Sequence, residues 1–429
     1  MTALSADEDS TAAPAALPAT AEYRASARAW LEAHLRPRET GAGDEHLRWG
    51  VGSDDVSVFH DLSDDEEGDL LQRAMSWQQQ KCDAGYGAIA WAKEYGGAGL
   101  PAEYERIFQE EEAAFETPQL HETFSVTVKL MAPTIKIYGT DHQRQRFVKR
   151  FLRADELCCQ LFSEPSAGSD LAGLGTRAVL DGDEWVVDGQ KVWSSGARFS
   201  AWGLLIARTD PDAPKHAGMT AFLVPLDRPG IEVRAIRQMS GGSSFNEVFL
   251  TGVRIHDELR LGAVGDGWKV ALTTLGFERG ATEEGVGGGW SRALGLARWL
   301  GVTDDPLVRD RLADLYINHT ITELIRRRCA EVAARGEPPG AEGSIGKLRW
   351  SQDLARTSHV VSRLLGPRLT ADTGEWGTYA WTAHVLGAPG YRIAGGSDEI
   401  QRNIIGERVL GLPAEPRVDR DRPWRDVPR

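Results

Sequence analysis

The hydrophobic period of this chain changes twice, and that double switch narrows the folds open to it. From Glu22 to about Ala154 apolar residues recur at helical spacing. Ala27, Trp30, Leu31 and Leu35 share one stripe, and Leu70, Leu71, Ala74 and Met75 another. A helix is also expected through Glu110, Glu111 and Glu112. From Leu157 to about Leu261 short strand runs take over. Val179-Leu180, Asp181-Gly182-Asp183 and Glu184-Trp185-Val186-Val187 read as strand, turn, strand. Asp188-Gly189 reads as a second turn before Lys191-Val192-Trp193. Further strands are expected at Trp202 to Ala207, Met219 to Val224, Ile231 to Ile236 and Phe245 to Ile255. From Gly265 helical spacing returns. Leu354, Ser358, Val361 and Leu365 share a face, and Ser397-Asp398-Glu399 opens a last helix to Leu410. The order predicts an α+β chain, mostly α, with a helical domain over 21–156, a β-sandwich or barrel domain over 157–261 and a helical domain over 262–412. Residues 1–20 lack the basic start and apolar stretch of a leader and are expected to be a disordered arm. Residues 413–429, with four prolines, read as an extended, mostly solvated tail, docked if anywhere on a partner.

Several functions are argued against. No run of about 18 apolar residues is present, so no membrane-spanning helix is expected. Acidic residues outnumber basic ones, 63 to 49, for a net charge of −14. That balance disfavours broad capture of nucleic acid but leaves room for a local basic pocket. Cys82, Cys158, Cys159 and Cys329 form neither a disulfide framework nor a metal pattern, and read as thiols of a reducing cytoplasm. GxGxxG, GxxxxGK[ST], HExxH and GxSxG are all missing, so the chemistry lies elsewhere.

Three segments could carry it. Gln160 to Asp170 (QLFSEPSAGSD) starts as a strand and becomes a loop of small residues, able to offer N–H groups and a hydroxyl to a phosphate or ring edge. By composition alone it is also an ordinary strand-to-turn junction. Lys191-Val192-Trp193-Ser194-Ser195-Gly196 sets an indole beside hydroxyls, suited to stacking on a flat ring, or simply to a core strand. Gly395-Gly396 precedes the capped helix Ser397 to Ile405, which lets backbone approach a ligand or just makes a tight turn.

Together and in this order, the segments resemble the acyl-CoA dehydrogenase family. Trp91-Ala92-Lys93-Glu94-Tyr95-Gly96-Gly97 is similar to its "WPxEYGG", with Ala92 for the proline. Ser163-Glu164-Pro165 with Gly168-Ser169-Asp170 resembles "TEPxxGSD", Lys191 to Ser195 "KxWIT", and Gly395 to Pro413 "GGTxEIQRNIIAERVLGLP". The resemblance implies a C-terminal four-helix bundle and FAD between it and the β domain. Phe162 and Ser163 would contact the flavin ring, Ser169 the pyrophosphate, Trp193 would cover the ring, and Ser195 would bond near N5. Ser397 and Glu399 would lie near the FAD of this or a neighbouring subunit.

The family desaturates an acyl-CoA thioester: a carboxylate takes the α-proton while hydride leaves the β-carbon for flavin N5. Many members carry that glutamate just before the "GT" of the last motif, where this chain has Gly395. Another group uses an "LxxER" stretch, matched here by Leu275-Gly276-Phe277-Glu278-Arg279. Glu278 is therefore the expected base, with Arg279 beside the substrate, and Gly395 would keep the N–H that polarises the thioester carbonyl. The family's "RKTFG" stretch, which contributes to FAD across the dimer, is matched at Arg298, and at Gly301 if one residue is deleted, so Arg298 is a candidate FAD contact and homo- and hetero-oligomers stay open. Gly276 and Ala394-Gly395-Gly396 suggest room for a bulky chain. The resemblance implies an electron-transfer flavoprotein as acceptor. The alternatives are an oxidase using oxygen and a structural subunit of a heteromer.

Overall fold

The structure is a computed structural model that describes residues 17–38, 49–50, 53–278, 286–334, 340–416, 419 and 421–427. By contact the chain divides into two units, residues 1–39 with 80–117, and 40–79 with 118–429. In the first, helix Thr20–His34 buries Tyr23, Ala27 and Leu31, and packs on helix Ala102–Glu112, which buries Tyr104, Ile107 and Phe108. Tyr23 meets Tyr104 edge-on at 4.9 Å. Gly97 of the loop between them has no room for a side chain, since a Cβ there would lie 2.0 Å from the Trp91 carbonyl oxygen.

The second unit holds one eight-stranded sheet. Its strands are β1 (Cys158–Leu161), β2 (Arg177–Asp181), β3 (Glu184–Ser195), β4 (Trp202–Arg208), β5 (Met219–Pro225), β6 (Ile231–Ile236), β7 (Phe245–His256) and β8 (Arg260–Leu261). Their order is β6-β7-β3-β2-β4-β5-β8, with β1 added parallel to β4. Inward residues of six strands, among them Leu161, Ala178, Trp185, Leu205, Phe222 and Leu250, share one core. Every residue of β5 is buried, and all of β4 but Trp202. Such two-sided burial explains why both read as unbroken apolar runs. Helix Gly267–Glu278 packs on β4 and β5.

One expectation needs correction here. Asp188-Gly189 is not a turn: β3 runs straight through, with a register shift between Val187 and Gly189. Asp188 accepts the Gly252 N–H at 2.8 Å, and Gly189 is needed because a Cβ would lie 2.3 Å from Thr176 Oγ1. The described residues beyond the bundle are exposed or half-buried, and they contact this chain itself. Pro423 bridges to Pro214, the Trp424 N–H reaches the Ala213 carbonyl at 3.0 Å, and Trp424–Asp426 forms one 3-10 turn against this chain's own β4–β5 loop.

Helices Gly289–Trp299, Pro306–Ala334, Gly343–Leu365 and Ala380–Tyr391 pack as the expected bundle. Its core includes Leu296, Leu312, Leu315, Val361, Leu365 and Trp381. The last helix is Asp398–Ile404, continued by a wider turn over Ile405–Val409.

Candidate active site

The loop after β1 is fixed at its base and open at its tip. Phe162 is buried and its carbonyl accepts Lys191 Nζ at 3.0 Å. The half-buried Ser163 accepts the Val192 N–H at 2.9 Å, which sets it beside the β3 motif. Glu164 is buried and accepts three donors, Gly175 N–H at 2.7 Å, Thr176 N–H at 2.9 Å and Lys191 Nζ at 2.8 Å. Burial alone would raise the Glu164 carboxyl, but the Lys191 charge and these bonds outweigh it and hold it below the usual range. Lys191 is fully buried, and burial lowers its ammonium despite Glu164. Past this anchor Gly168, Ser169 and Asp170 are exposed.

On β3 a second register shift falls between Lys191 and Ser194. It puts Trp193 at φ +61, a left-handed conformation that costs a non-glycine residue about 1–2 kcal/mol. The indole is 59% exposed and meets Phe245 edge-on at 6.0 Å. A bulky aromatic held outward at that cost is what a stacking surface for a flat ring requires. Ser195 is half-buried beside it, paired with Phe245 in register.

In the C-terminal motif Gly395 and Gly396 both have positive φ, +63 and +84. Gln401 Nε2 holds the Gly395 carbonyl at 2.8 Å. Lys347 Nζ donates to the Gly396 carbonyl at 2.6 Å and to the Tyr391 carbonyl at 2.8 Å. Ser397 caps the helix through the Ile400 N–H. Buried Asp398 accepts Ser351 Oγ and Arg392 Nε, each at 2.9 Å. Glu399 is solvent-facing and pairs with Arg402. A row of rings joins the two motifs: Trp193 to Phe245, Phe245 to Phe59 at 5.4 Å, and Phe59 stacked on Tyr391 at 4.8 Å.

Glu278 is the last described residue of helix Gly267–Glu278, and its side chain and all of Arg279 lie outside the described residues. The helix is tied down one turn earlier by Thr274 Oγ1 to Thr134 Oγ1 at 3.0 Å and by Tyr138 OH to Thr273 Oγ1 at 2.8 Å. Arg298 is exposed on the last turn of Gly289–Trp299. Sequence reasoning missed three positions that shape this site: Lys191 and Glu164 as a buried pair, and Lys347 as the pin of the glycine turn. The signal for the pair was present, since both residues stand inside the two motifs.

Comparison with known proteins agrees with this geometry. The N-terminal, middle and C-terminal domains of acyl-CoA dehydrogenase match residues 60–155, 159–253 and 265–410. Acyl-CoA dehydrogenase IpdE1 of Mycobacterium tuberculosis is 38% identical over 403 residues, 92% of this chain and 98% of that protein. FadE34 of the same organism is 43% identical over 341 residues, 77% of this chain and 45% of its own length. Among solved structures, the Tcur3481-Tcur3483 steroid ACAD has a TM-score of 0.67 at 25% identity and covers 92% of this chain and 98% of its own. The ChsE4-ChsE5 complex from Mycobacterium tuberculosis has a TM-score of 0.67 at 26% identity, with 94% and 99% covered. The chain belongs to the acyl-CoA dehydrogenase family, whose members are FAD-dependent flavoproteins. Its residues fit that cofactor: an indole forced outward, hydroxyls at Ser163 and Ser195, and an open small-residue loop at Gly168-Ser169.

Proposed function

We propose that this chain is the catalytic subunit of an acyl-CoA dehydrogenase that desaturates an acyl-CoA thioester between Cα and Cβ. The observation that carries this is the row of rings from Trp193 to Tyr391, which joins the β3 motif to the Gly395-Gly396 turn within one unit. FAD, when bound, supplies the hydride acceptor. Trp193 would cover the flavin, Phe162, Ser163 and Ser195 would hold its ring, and Ser169 would hold the pyrophosphate. Ser397 and Glu399 would lie near the FAD of this or a neighbouring subunit, and Arg298 would contribute to a neighbouring subunit's FAD. Glu278 would take the α-proton, the Gly395 N–H would polarise the thioester carbonyl, and Arg279 would act on the substrate. A carboxylate suits the task where water is excluded, because desolvation raises its basicity.

A Cβ at Gly276 would meet nothing within 4 Å, which supports a bulky acyl group. The relationship to a steroid ACAD points the same way. The working division of the chain stays at 21–156, 157–261 and 262–412, and the enzyme acts in the cytoplasm with an electron-transfer flavoprotein as acceptor. Two-component relatives and the divergent stretch around Arg298 favour assembly with an unlike subunit.

The test is Glu278→Gln in FAD-loaded protein, mixed anaerobically with a panel of acyl-CoAs. Flavin bleaching should slow by about 10²–10⁴-fold while FAD stays bound. Near-native bleaching by the variant sinks the assignment of the base, and unchanged turnover of a co-purified complex makes this chain its structural subunit. Oxygen uptake without any other acceptor identifies an oxidase.

A further inference from the structure

Segment 419–427 lies beyond the residues that match the family, which end at 410. It nevertheless makes specific contacts, and they converge on one place. Lys215 Nζ, almost buried, bonds Asp419 Oδ2 at 2.6 Å on one side and Asp170 Oδ1 at 3.0 Å on the other. Trp424 Nε1 donates to the Gly173 carbonyl at 3.3 Å. The Trp424 ring lies 4.8 Å from the guanidinium carbon of Arg208. Arg208 is buried, and donates to the Ala172 carbonyl at 2.7 Å and the Lys215 carbonyl at 2.8 Å. Arg425 pairs with Asp212, and its N–H reaches the Pro211 carbonyl at 3.2 Å. The segment thus grips both ends of the Asp170–Gly173 turn and the loop behind it. That turn directly follows Gly168-Ser169, whose exposed tip is held from its other side by the Glu164–Ala167 bridge and the buried Glu164–Lys191 pair.

We propose that residues 419 and 421–427 form a strap that holds the Gly168–Gly173 turn in shape for the cofactor's pyrophosphate, so that FAD retention depends on a part of the chain beyond the residues that match the family. This rests on the reading of Ser169 given above. An open loop of small residues is entropically costly to order around a ligand, and bracing it beforehand lowers that cost at binding. Arg208 reads the strap through its flat face and passes the constraint to the turn through its N–H groups. Lys215 does the same through charge, with one carboxylate from each side.

The experiment measures FAD dissociation, by fluorescence of released flavin, from the full chain as it purifies with any partner. The same measurement is made on a chain ending at Pro416, Trp424→Ala, Trp424→Phe and Ser169→Ala. Hydrogen exchange over 168–174 is followed in parallel, with β4 and β5 as the folding control. The shortened chain and Trp424→Ala should bind FAD about tenfold more weakly and exchange faster over 168–174, while Trp424→Phe keeps most of the affinity. If only Ser169→Ala weakens FAD, the pyrophosphate site stands and the strap is overturned. If neither Ser169→Ala nor the strap variants weaken it, the reading of the loop fails and the strap with it. Weaker binding without faster exchange over 168–174 places the effect elsewhere and also overturns the proposal. Should the shortened chain fail the β4–β5 control, Trp424→Ala decides alone.

Discussion

Lys191→Met is the perturbation with the largest expected effect away from the reacting atoms. Lys191 has no exposed surface, and its ammonium bonds both the Phe162 carbonyl at 3.0 Å and Glu164 Oε1 at 2.8 Å. Methionine fills much the same volume, so the cavity contribution is small. What changes is charge. Glu164 would be left buried with only the Gly175 and Thr176 N–H groups, and an uncompensated buried carboxylate costs about 3–5 kcal/mol. Adding Glu164→Gln removes that charge, while its amide oxygen still accepts the two N–H groups. The double variant should therefore recover about 1–3 kcal/mol of the loss. Equilibrium urea unfolding followed by far-ultraviolet dichroism gives the stabilities of the native chain and the two variants. A Lys191→Met loss below about 1 kcal/mol, or a double variant no better than the single one, would refute the charge argument.

Two further outcomes can be checked with the same preparations. A Cβ at Gly196 would lie 1.8 Å from Thr123 Oγ1, so Gly196→Ala should lose about 1–3 kcal/mol in urea unfolding. Adding Thr123→Ala should return part of that loss but not all, because Thr123 Cβ itself stands at 2.9 Å; full recovery would mean the clash is not where the geometry puts it. Asp257 is pushed down from 3.8 to about 2, first by its hydrogen bond from Arg260, with Trp185 Nε1 adding a second donor at 2.7 Å. A depressed carboxyl contributes stability that is present above its unfolded value and lost as pH falls through its folded one. The stability difference between the native chain and Asp257→Asn should thus shrink from pH 4 towards pH 2, and a constant difference across that window would contradict it.

Much of the fold was legible because its signals are local. Buried strands such as Met219–Pro225 read as apolar runs, and the face of Leu354, Val361 and Leu365 followed from helical spacing. The motif residues were found in order, and the structure joins two of the motifs through Phe245 and Phe59, neither of which sequence reasoning singled out. What escaped was any feature whose reason lies across the fold. Asp188-Gly189 carries a turn composition, yet Gly189 exists to let β3 pass Thr176. Lys191 stands in a segment that also reads as an ordinary core strand, and its ion pair depends on the loop after β1 bringing Glu164 back to it. Trp424, amid prolines and charges, looked like part of a solvated tail until its ring was found on Arg208.

Gly276 carries a consequence for how such an enzyme diversifies. A glycine inside a helix gives up about 1 kcal/mol relative to alanine, and among the described residues nothing lies within 4 Å of the methyl group an alanine would add. Folding alone would select alanine there. Its place two residues before Glu278 means that a single codon change can resize the space beside the proposed base while making the helix sturdier. If Glu278 is the base, Gly276→Ala should narrow the acyl groups accepted while leaving urea stability unchanged or higher, and an unchanged acyl-CoA range would separate this glycine from the substrate.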